Sequence, residues 1–246
     1  MINEYLQAIQ FLTRLPVARQ ADYTAGLAGA AVSWYAPTGL IIGVLLVLAA
    51  WTCSLLLPPF LLGAIVLGIW VAITGALHLD GLGDCGDAWM GAHTPERMLE
   101  IMKDTSCGIG AIVAVTLVLL LKFSALTLLI DQGAWSLLIF APVLARVSLS
   151  LVILYVPYRR TEGLGSALQA NLNFNGIVIS SLLMSLLLSL ISFQAFVYGV
   201  VASGIAWLII YWFFIKPIRG ATGDVYGALV EVTESLVLVG LVVSIN

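Results

Sequence analysis

The chain has 246 residues, of which 61% are hydrophobic and only 9% are charged. Soluble domains average roughly 25% charged residues, and a soluble globule of this size could not bury so much apolar surface. The sequence therefore predicts an all-α, polytopic membrane protein that lies in a lipid bilayer. A net charge of −3 without a Lys/Arg run excludes nucleic acid as a partner, and three cysteines without a CxxC pair predict free thiols.

Seven segments are long and apolar enough for spanning helices, which need about 20 such residues. In chain order they are 33–57, 60–79, 108–130, 135–156, 176–192, 194–215 and 225–244. Before them, apolar residues at helical spacing within 3–15 predict an interfacial helix. No repeat or linker divides the chain, so residues 1–246 are expected to form one membrane domain.

The basic residues favour one orientation of these spans. With the N-terminus in the cytoplasm, the cytoplasmic segments contain eight of the ten Lys and Arg residues, namely Arg14, Arg19, Arg97, Lys103, Arg159, Arg160, Lys216 and Arg219. The other two, Lys122 and Arg146, lie within spans. The positive-inside rule then predicts a protein of the cell membrane (the inner or plasma membrane). Its N-terminus lies in the cytoplasm and its C-terminus on the outer side of that membrane.

Six of the thirteen acidic residues lie in the cytoplasmic loop after the second span. If the helix continues through Asp80, Asp84 and Asp87, their spacing places them within roughly 60° of one another. Such carboxylates repel unless a cation lies between them, and oxygen ligands suit Mg²⁺ or Mn²⁺. A merely solvated loop is the competing interpretation, but three interleaved glycines and the scarcity of charge elsewhere favour a site. His78, about 200° from Asp80, is expected to pack or orient rather than bind metal.

The same loop carries Glu96, Arg97 and Glu100, whose spacing predicts an exposed helix with ion pairs. Of the acids in this part, only Asp104, at the edge of the third span, is a candidate for the site. The loop therefore divides into a candidate site and a solvated helix.

The last span carries a second acidic set. Asp224 lies at its cytoplasmic start, and Glu231 and Glu234 lie about 10 and 15 Å further in. An ionised carboxylate at that depth needs a partner. Because Arg146 lies at a similar depth in the fourth span, we predict a buried ion pair between Arg146 and Glu234 or Glu231.

Several motifs together resemble one family. The strings LHLDGLGDCGD at 77–87 and RMLEIMKD at 97–104 are similar to the signature of the cobalamin synthase family, the adenosylcobinamide-GDP ribazoletransferases. Further matches are FLTRLP at 11–16, EGLG at 162–165, TGD at 222–224 and Gly227-Ala228 with Glu231 and Glu234. The two signature strings count as one motif and the matches from 222 onward as another, so four motifs in the same order carry the resemblance over nearly the whole chain.

The resemblance implies an integral membrane transferase of cobalamin biosynthesis that requires Mg²⁺. It would transfer the adenosylcobinamide-phosphate moiety of adenosylcobinamide-GDP to α-ribazole or α-ribazole 5′-phosphate, with release of GMP. Asp80, Asp84 and Asp87 would hold one or two Mg²⁺, and one of them would take the proton of the ribose hydroxyl. The residues expected to bind substrate or to complete the metal site are Arg159, Arg160, Lys103, Asp104, Asp224, Glu231, Glu234 and Arg146.

Two alternatives come from other classes. A CDP-alcohol phosphatidyltransferase also combines clustered aspartates with membrane helices, although its aspartates are more widely spaced. A cation transporter would use the charges within the spans, Glu231, Glu234, Arg146 and Lys122, as an ion pathway. A transporter of that kind should also show broken helices or a repeat near the midplane, and the sequence predicts neither.

Overall fold

A computed structural model describes residues 2–17, 25–160 and 164–245. Arg19, one of the basic residues of the predicted cytoplasmic segments, and Glu162–Gly163 of the EGLG motif lie outside the described residues. The described residues contain no strand, and their one isolated bridge pairs Tyr158 with Ala221. The all-α prediction is therefore confirmed.

Helices follow one another with short connections. In chain order they are α1 (Ile2–Leu12), α2 (Ala25–Ala31), α3 (Tyr35–Cys53), α4 (Pro59–Thr74), α5 (Leu77–Gly91), α6 (Pro95–Ile101), α7 (Ile109–Asp131), α8 (Phe140–Tyr155), α9 (Leu164–Gln169), α10 (Phe174–Ile191), α11 (Phe193–Ile210), α12 (Lys216–Ile218) and α13 (Gly223–Ile245). Short 3₁₀ helices, Val32–Trp34 and Trp135–Ile139, lead into α3 and α8, and a π-helical turn, Tyr211–Ile215, joins α11 to α12.

Six stretches of the described chain are long and apolar enough to cross a membrane. They are Gly26–Cys53, Ile109–Asp131, Trp135–Tyr155, Phe174–Ile191, Phe193–Ile218 and Gly223–Ile245, and the bent pair α4–α5 would make a seventh. This agrees with the prediction of about seven spans. The first stretch begins at Gly26 rather than at residue 33, because α2 and the 3₁₀ turn extend α3 toward the N-terminus.

The chain bends by 92° between α4 and α5. Gly75 and Ala76 both have positive φ angles, 62° and 57°. The N–H of Gly75 donates to Ala72 O (3.3 Å) and that of Ala76 to Val71 O (3.2 Å), as in a Schellman motif. The prediction of one helix over 60–79, with no broken helix in the chain, was wrong, because a left-handed pair ends α4 at Thr74.

The aspartate segment is consequently a helix of its own, α5, rather than a loop. It packs against α7 and against α13, the helix at the centre of the bundle. A Cβ on Gly81 would lie 2.8 Å from Asp224 O, and one on Gly227 would lie 2.9 Å from His78 O. These glycines let the backbones of α5 and α13 touch, which brings Asp80 and Asp84 beside Asp224.

The predicted N-terminal helix is present as α1 and packs on the bundle. Its side chains Gln7, Ala8, Ile9 and Leu12 are buried, and α1 contacts α2 and α3. After α1, the N–H of Arg14 donates to Ile73 O over 2.7 Å, at the end of α4. The N-terminal segment therefore supports the bend that leads into the aspartate helix.

Candidate active site

Three segments that are distant in sequence meet at one end of the bundle. Arg160, after α8, donates from Nη2 to Met102 O (3.1 Å), after α6, and to Asp224 Oδ2 (2.7 Å), in the first turn of α13. Thr222 also donates to Asp224, over 3.2 Å. The segments after the second and fourth predicted spans and before the seventh thus lie on the same side, as the distribution of basic residues predicted.

Asp84 lies at the centre of a group of carboxylates. It is half-buried, and its negative neighbours are Asp80, Asp87 and Asp224, with Arg160 as the neighbouring cation. Among the described residues, none donates a hydrogen bond to the side chain of Asp80 or Asp84, whereas Asp87 and Asp224 both have donors. The group therefore holds more negative charge than its own cation balances.

Asp87 differs from the other two aspartates of α5. Its Oδ2 accepts from the N–H of Gly108 (2.7 Å) and its Oδ1 from the N–H of Ala111 (2.9 Å). Gly108 immediately precedes α7 and Ala111 lies in its first turn, where helical N–H groups have no partner within the helix and the helix dipole favours a negative charge. Asp87 thus fastens α5 to the start of α7, in addition to any role toward a ligand.

The donor set fits a hard divalent cation. Carboxylate oxygens are its preferred ligands, and Mg²⁺ commonly uses one or two of them together with oxygens of a substrate phosphate. Within the described parts of the chain, no three Asp, Glu, His or Cys side chains converge on one point. An ion here would therefore draw part of its coordination from the substrate.

Two cavities border the carboxylates. The first, of about 150 Å³, lies between α1, α5, α8, α9 and α13 and includes Asp80, Asp224 and His78 in its wall. The second, of about 510 Å³, lies between α5 and α7 and includes Asp80 and Asp84. Asp80 lines both cavities, so two molecules bound one in each would both lie against this residue. His78, expected to point away from Asp80, lines the first cavity with it.

A buried charge network lies deeper in the bundle. Glu234 accepts from both Arg146 and Lys122, and Lys122 also donates to Glu231 over 2.6 Å. All four side chains are at most 5% exposed. The predicted pair between Arg146 and Glu234 is present, and the four formal charges sum to zero. Glu231, Glu234 and Arg146, predicted to bind substrate, are thus engaged with one another and with Lys122.

Three other predicted binding residues lie at the surface. Arg159 is exposed and lines a separate surface pocket with Glu96 and Arg219. Lys103 and Asp104 are exposed after α6. Both the N–H and the hydroxyl of Ser106 donate to Asp104, and these hydrogen bonds lower the pKa of its carboxyl from the ordinary value. None of these side chains is in contact with Asp84 in this structure, and their roles remain predictions.

The exposed helix predicted around Glu96 is confirmed as α6, with Arg97 and Glu100 paired over 2.9 Å. Sequence reasoning placed Lys122 within a span but did not pair it with Glu231. It also omitted Tyr226 and Thr222 from the site. The sequence signal for both residues is their nearness to Asp224. Thr222 is part of the TGD motif, and Tyr226 follows two residues after Asp224.

These helices and their acidic site define a multi-pass helical membrane protein with carboxylates gathered at one end of the bundle. The family model for cobalamin-5-phosphate synthase matches residues 4–242, and the chain belongs to this family. The resemblance found in the motifs is thereby confirmed. No solved structure matches the chain.

Curated relatives cover the chain almost from end to end. An adenosylcobinamide-GDP ribazoletransferase of Pseudomonas aeruginosa (strain UCBPP-PA14) is 44% identical over 98% of both chains. Proteins with the same name from Stutzerimonas stutzeri (strain A1501) and Acinetobacter baumannii (strain ACICU) are each 40% identical, over 98% and 96% of both chains. The chain is therefore an enzyme, a transferase of the ribazoletransferase type in cobalamin biosynthesis.

Proposed function

We propose that this enzyme transfers adenosylcobinamide phosphate from adenosylcobinamide-GDP to α-ribazole or its 5′-phosphate and releases GMP. The observation that carries the proposal is the position of Asp80, which lines two neighbouring cavities beside Asp84, Asp224 and Arg160. One cavity can hold the diphosphate of the donor and the other a part of the acceptor alcohol. The names of the relatives support this pair of substrates.

The reaction exchanges one phosphorus–oxygen bond for another. A ribose hydroxyl oxygen bonds to the phosphorus that bears cobinamide, and the bond from that phosphorus to the bridging oxygen breaks, so that the oxygen leaves with GMP. The hydroxyl proton passes to a carboxylate. Asp80 is best placed to accept it, because it lines both cavities and has no hydrogen-bond donor among the described residues.

The negative charge of the diphosphate requires compensation at this acidic site. Asp84 and one of its neighbours, Asp87 or Asp224, would hold Mg²⁺, or Mn²⁺, together with phosphate oxygens of the donor. When bound, the ion would offset the charge that develops on the phosphoryl oxygens. Arg160, which can exchange Asp224 for a phosphate oxygen, supplies a further positive charge to the departing GMP.

We place the site on the cytoplasmic side of the cell inner membrane. Arg160 and Met102 lie at the same end of the bundle as Asp224, and the predicted cytoplasmic segments contain eight of the ten basic residues. The positive-inside rule assigns that end to the cytoplasm. Both water-soluble substrates would then reach the site without crossing the bilayer.

The test is GMP release by purified protein in liposomes supplied with adenosylcobinamide-GDP, α-ribazole 5′-phosphate and Mg²⁺. We expect turnover that EDTA abolishes and that added Mg²⁺ restores. Glu96→Gln, an exposed change on α6, is the matched control for Asp84→Asn. Absence of GMP from the unaltered protein, or equal turnover by Asp84→Asn and Glu96→Gln, would contradict the proposal.

A further inference from the structure

The smaller cavity has a mostly apolar wall. Phe11 from α1, Leu149 and Ile153 from α8 and Leu168 from α9 line it, and the last three are at most 5% exposed. Its volume is about 150 Å³. An engineered apolar cavity of roughly that volume in another protein binds benzene. The cavity is thus suited to an aromatic ring system rather than to a phosphate or a sugar.

Two polar side chains in this apolar wall lack partners. His78 and Tyr226 are each 4% exposed, and among the described residues Nε2 of His78 and Oη of Tyr226 have no hydrogen-bond partner. A buried polar group without a partner destabilises the folded protein. Both residues line the cavity, so a ligand toward which their side chains turn on binding would supply the missing hydrogen bonds.

The cavity also touches the reacting groups. Asp80 and Asp224 line it, and Asp80 continues into the larger cavity beside Asp84. If the aromatic part of a ligand lies among Leu149, Ile153 and Leu168, the substituent on that aromatic part lies next to Asp80.

We propose that this cavity binds the aromatic base of the acceptor nucleoside, an inference that rests on the proposed function. The base of a ribazole is an apolar benzimidazole whose one free ring nitrogen accepts a hydrogen bond. The hydroxyl of Tyr226 donates to that nitrogen. Nε2 of His78 pairs with a ribose hydroxyl, which can either donate or accept. The reacting hydroxyl then lies at Asp80, facing a diphosphate in the larger cavity.

The assignment predicts which acceptors the enzyme selects. An analogue with an indole base has the same shape but carries C–H in place of the free ring nitrogen. We expect kcat/KM to be lower for this analogue by up to about tenfold, since one hydrogen bond contributes about 1.4 kcal/mol or less. Tyr226→Phe should lower kcat/KM for the ribazole about tenfold and leave the indole analogue within about twofold.

Two further variants separate binding from folding. Tyr198→Phe is the matched control, because Tyr198 lies on α11 and does not line the cavity. Ile153→Phe fills the cavity and should raise the KM for the acceptor while the KM for adenosylcobinamide-GDP stays unchanged. Equilibrium dialysis with α-ribazole alone should show weaker binding by Tyr226→Phe and unchanged binding by Tyr198→Phe.

The outcomes distinguish the two proposals. If the unaltered protein releases no GMP with ribazole acceptors, the proposed function fails. If it does release GMP, but Tyr226→Phe slows both acceptors equally or leaves both unchanged, the cavity is not the site of the base. If Tyr226→Phe keeps its fold but loses the preference for the ribazole acceptor over the indole analogue, the result supports the cavity as the site of the base.

Discussion

Arg160 and Asp224 form an ion pair over 2.7 Å that joins the segment after α8 to the first turn of α13. Arg159, the next residue back, is exposed and lines a different surface pocket. The sequence predicts the same role for these adjacent arginines, but their side chains lie in different surroundings in the structure. Only Arg160 contacts a residue of the carboxylate group.

This separation gives a matched pair of variants. Arg160→Gln should lower kcat/KM for adenosylcobinamide-GDP about 10- to 100-fold, because a hydrogen bond to a charged group contributes about 1.5–3 kcal/mol. Arg159→Gln should change it by about twofold or less, as expected of a surface substitution. Steady-state GMP release measures both, and equal losses in the two variants would show that the pair at Asp224 is not the determining contact.

The aspartates of α5 should divide by their effects on activity and stability. Asp84→Asn should reduce turnover about 10²- to 10³-fold without loss of thermal stability, because it removes one of several neighbouring negative charges. Asp87→Ala should lower the free energy of unfolding by about 1–3 kcal/mol, since the N–H groups of Gly108 and Ala111 lose their acceptor. Thermal unfolding in detergent beside the GMP assay gives both quantities. A stable Asp87→Ala protein would contradict the helix-fastening role.

The buried network predicts a rescue. Lys122→Met leaves Glu231 without its partner and should lower the free energy of unfolding by about 3–5 kcal/mol. Lys122→Met combined with Glu231→Gln restores charge balance and keeps Arg146 paired with Glu234. We therefore expect the double variant to recover most of the loss in a thermal unfolding measurement. A double variant no more stable than Lys122→Met would show that the pairing of Lys122 with Glu231 is not what stabilises the bundle.

The contact between α5 and α13 can be tested by adding one methyl group. Gly227→Ala places a Cβ 2.9 Å from His78 O, so the two helices must move apart and both stability and turnover should fall. A loss of about 1–3 kcal/mol is typical of such overpacking. Gly204→Ala on α11 is the control, because its Cβ would meet nothing within 4 Å. Thermal unfolding of the two variants side by side is the measurement, and equal behaviour would argue against the close approach.

The sequence predicted those features that depend on hydropathy and depth. The spans could be predicted from segment length and apolar content. The ion pair of Arg146 with Glu234 could be predicted because both residues lie at a similar depth in their spans. The bend after α4 could not be predicted from the sequence, because it requires a positive φ of 57° at Ala76, which alanine rarely adopts. Its support by Arg14 comes from a remote part of the chain.

The different tasks of the aspartates were also beyond reach of the sequence. Asp80, Asp84 and Asp87 have the same chemistry and regular spacing, and only the packing of α7 against α5 makes Asp87 an acceptor for α7. Likewise, the pairing of Lys122 with Glu231 depends on how α7 contacts α13. Contacts between helices, rather than properties of one helix, determine these roles.

The charge network also bears on how the protein is made. α7 and α8 bring Lys122 and Arg146 into the membrane before α13 has been synthesised, and each cation is costly there while it lacks a partner. Glu231 and Glu234 arrive only with α13 and pair with both. α13 also carries Asp224. Insertion of α13 during biogenesis therefore both pairs the two buried cations and completes the carboxylate group. A chain in which α13 is not inserted would thus be both unstable and inactive.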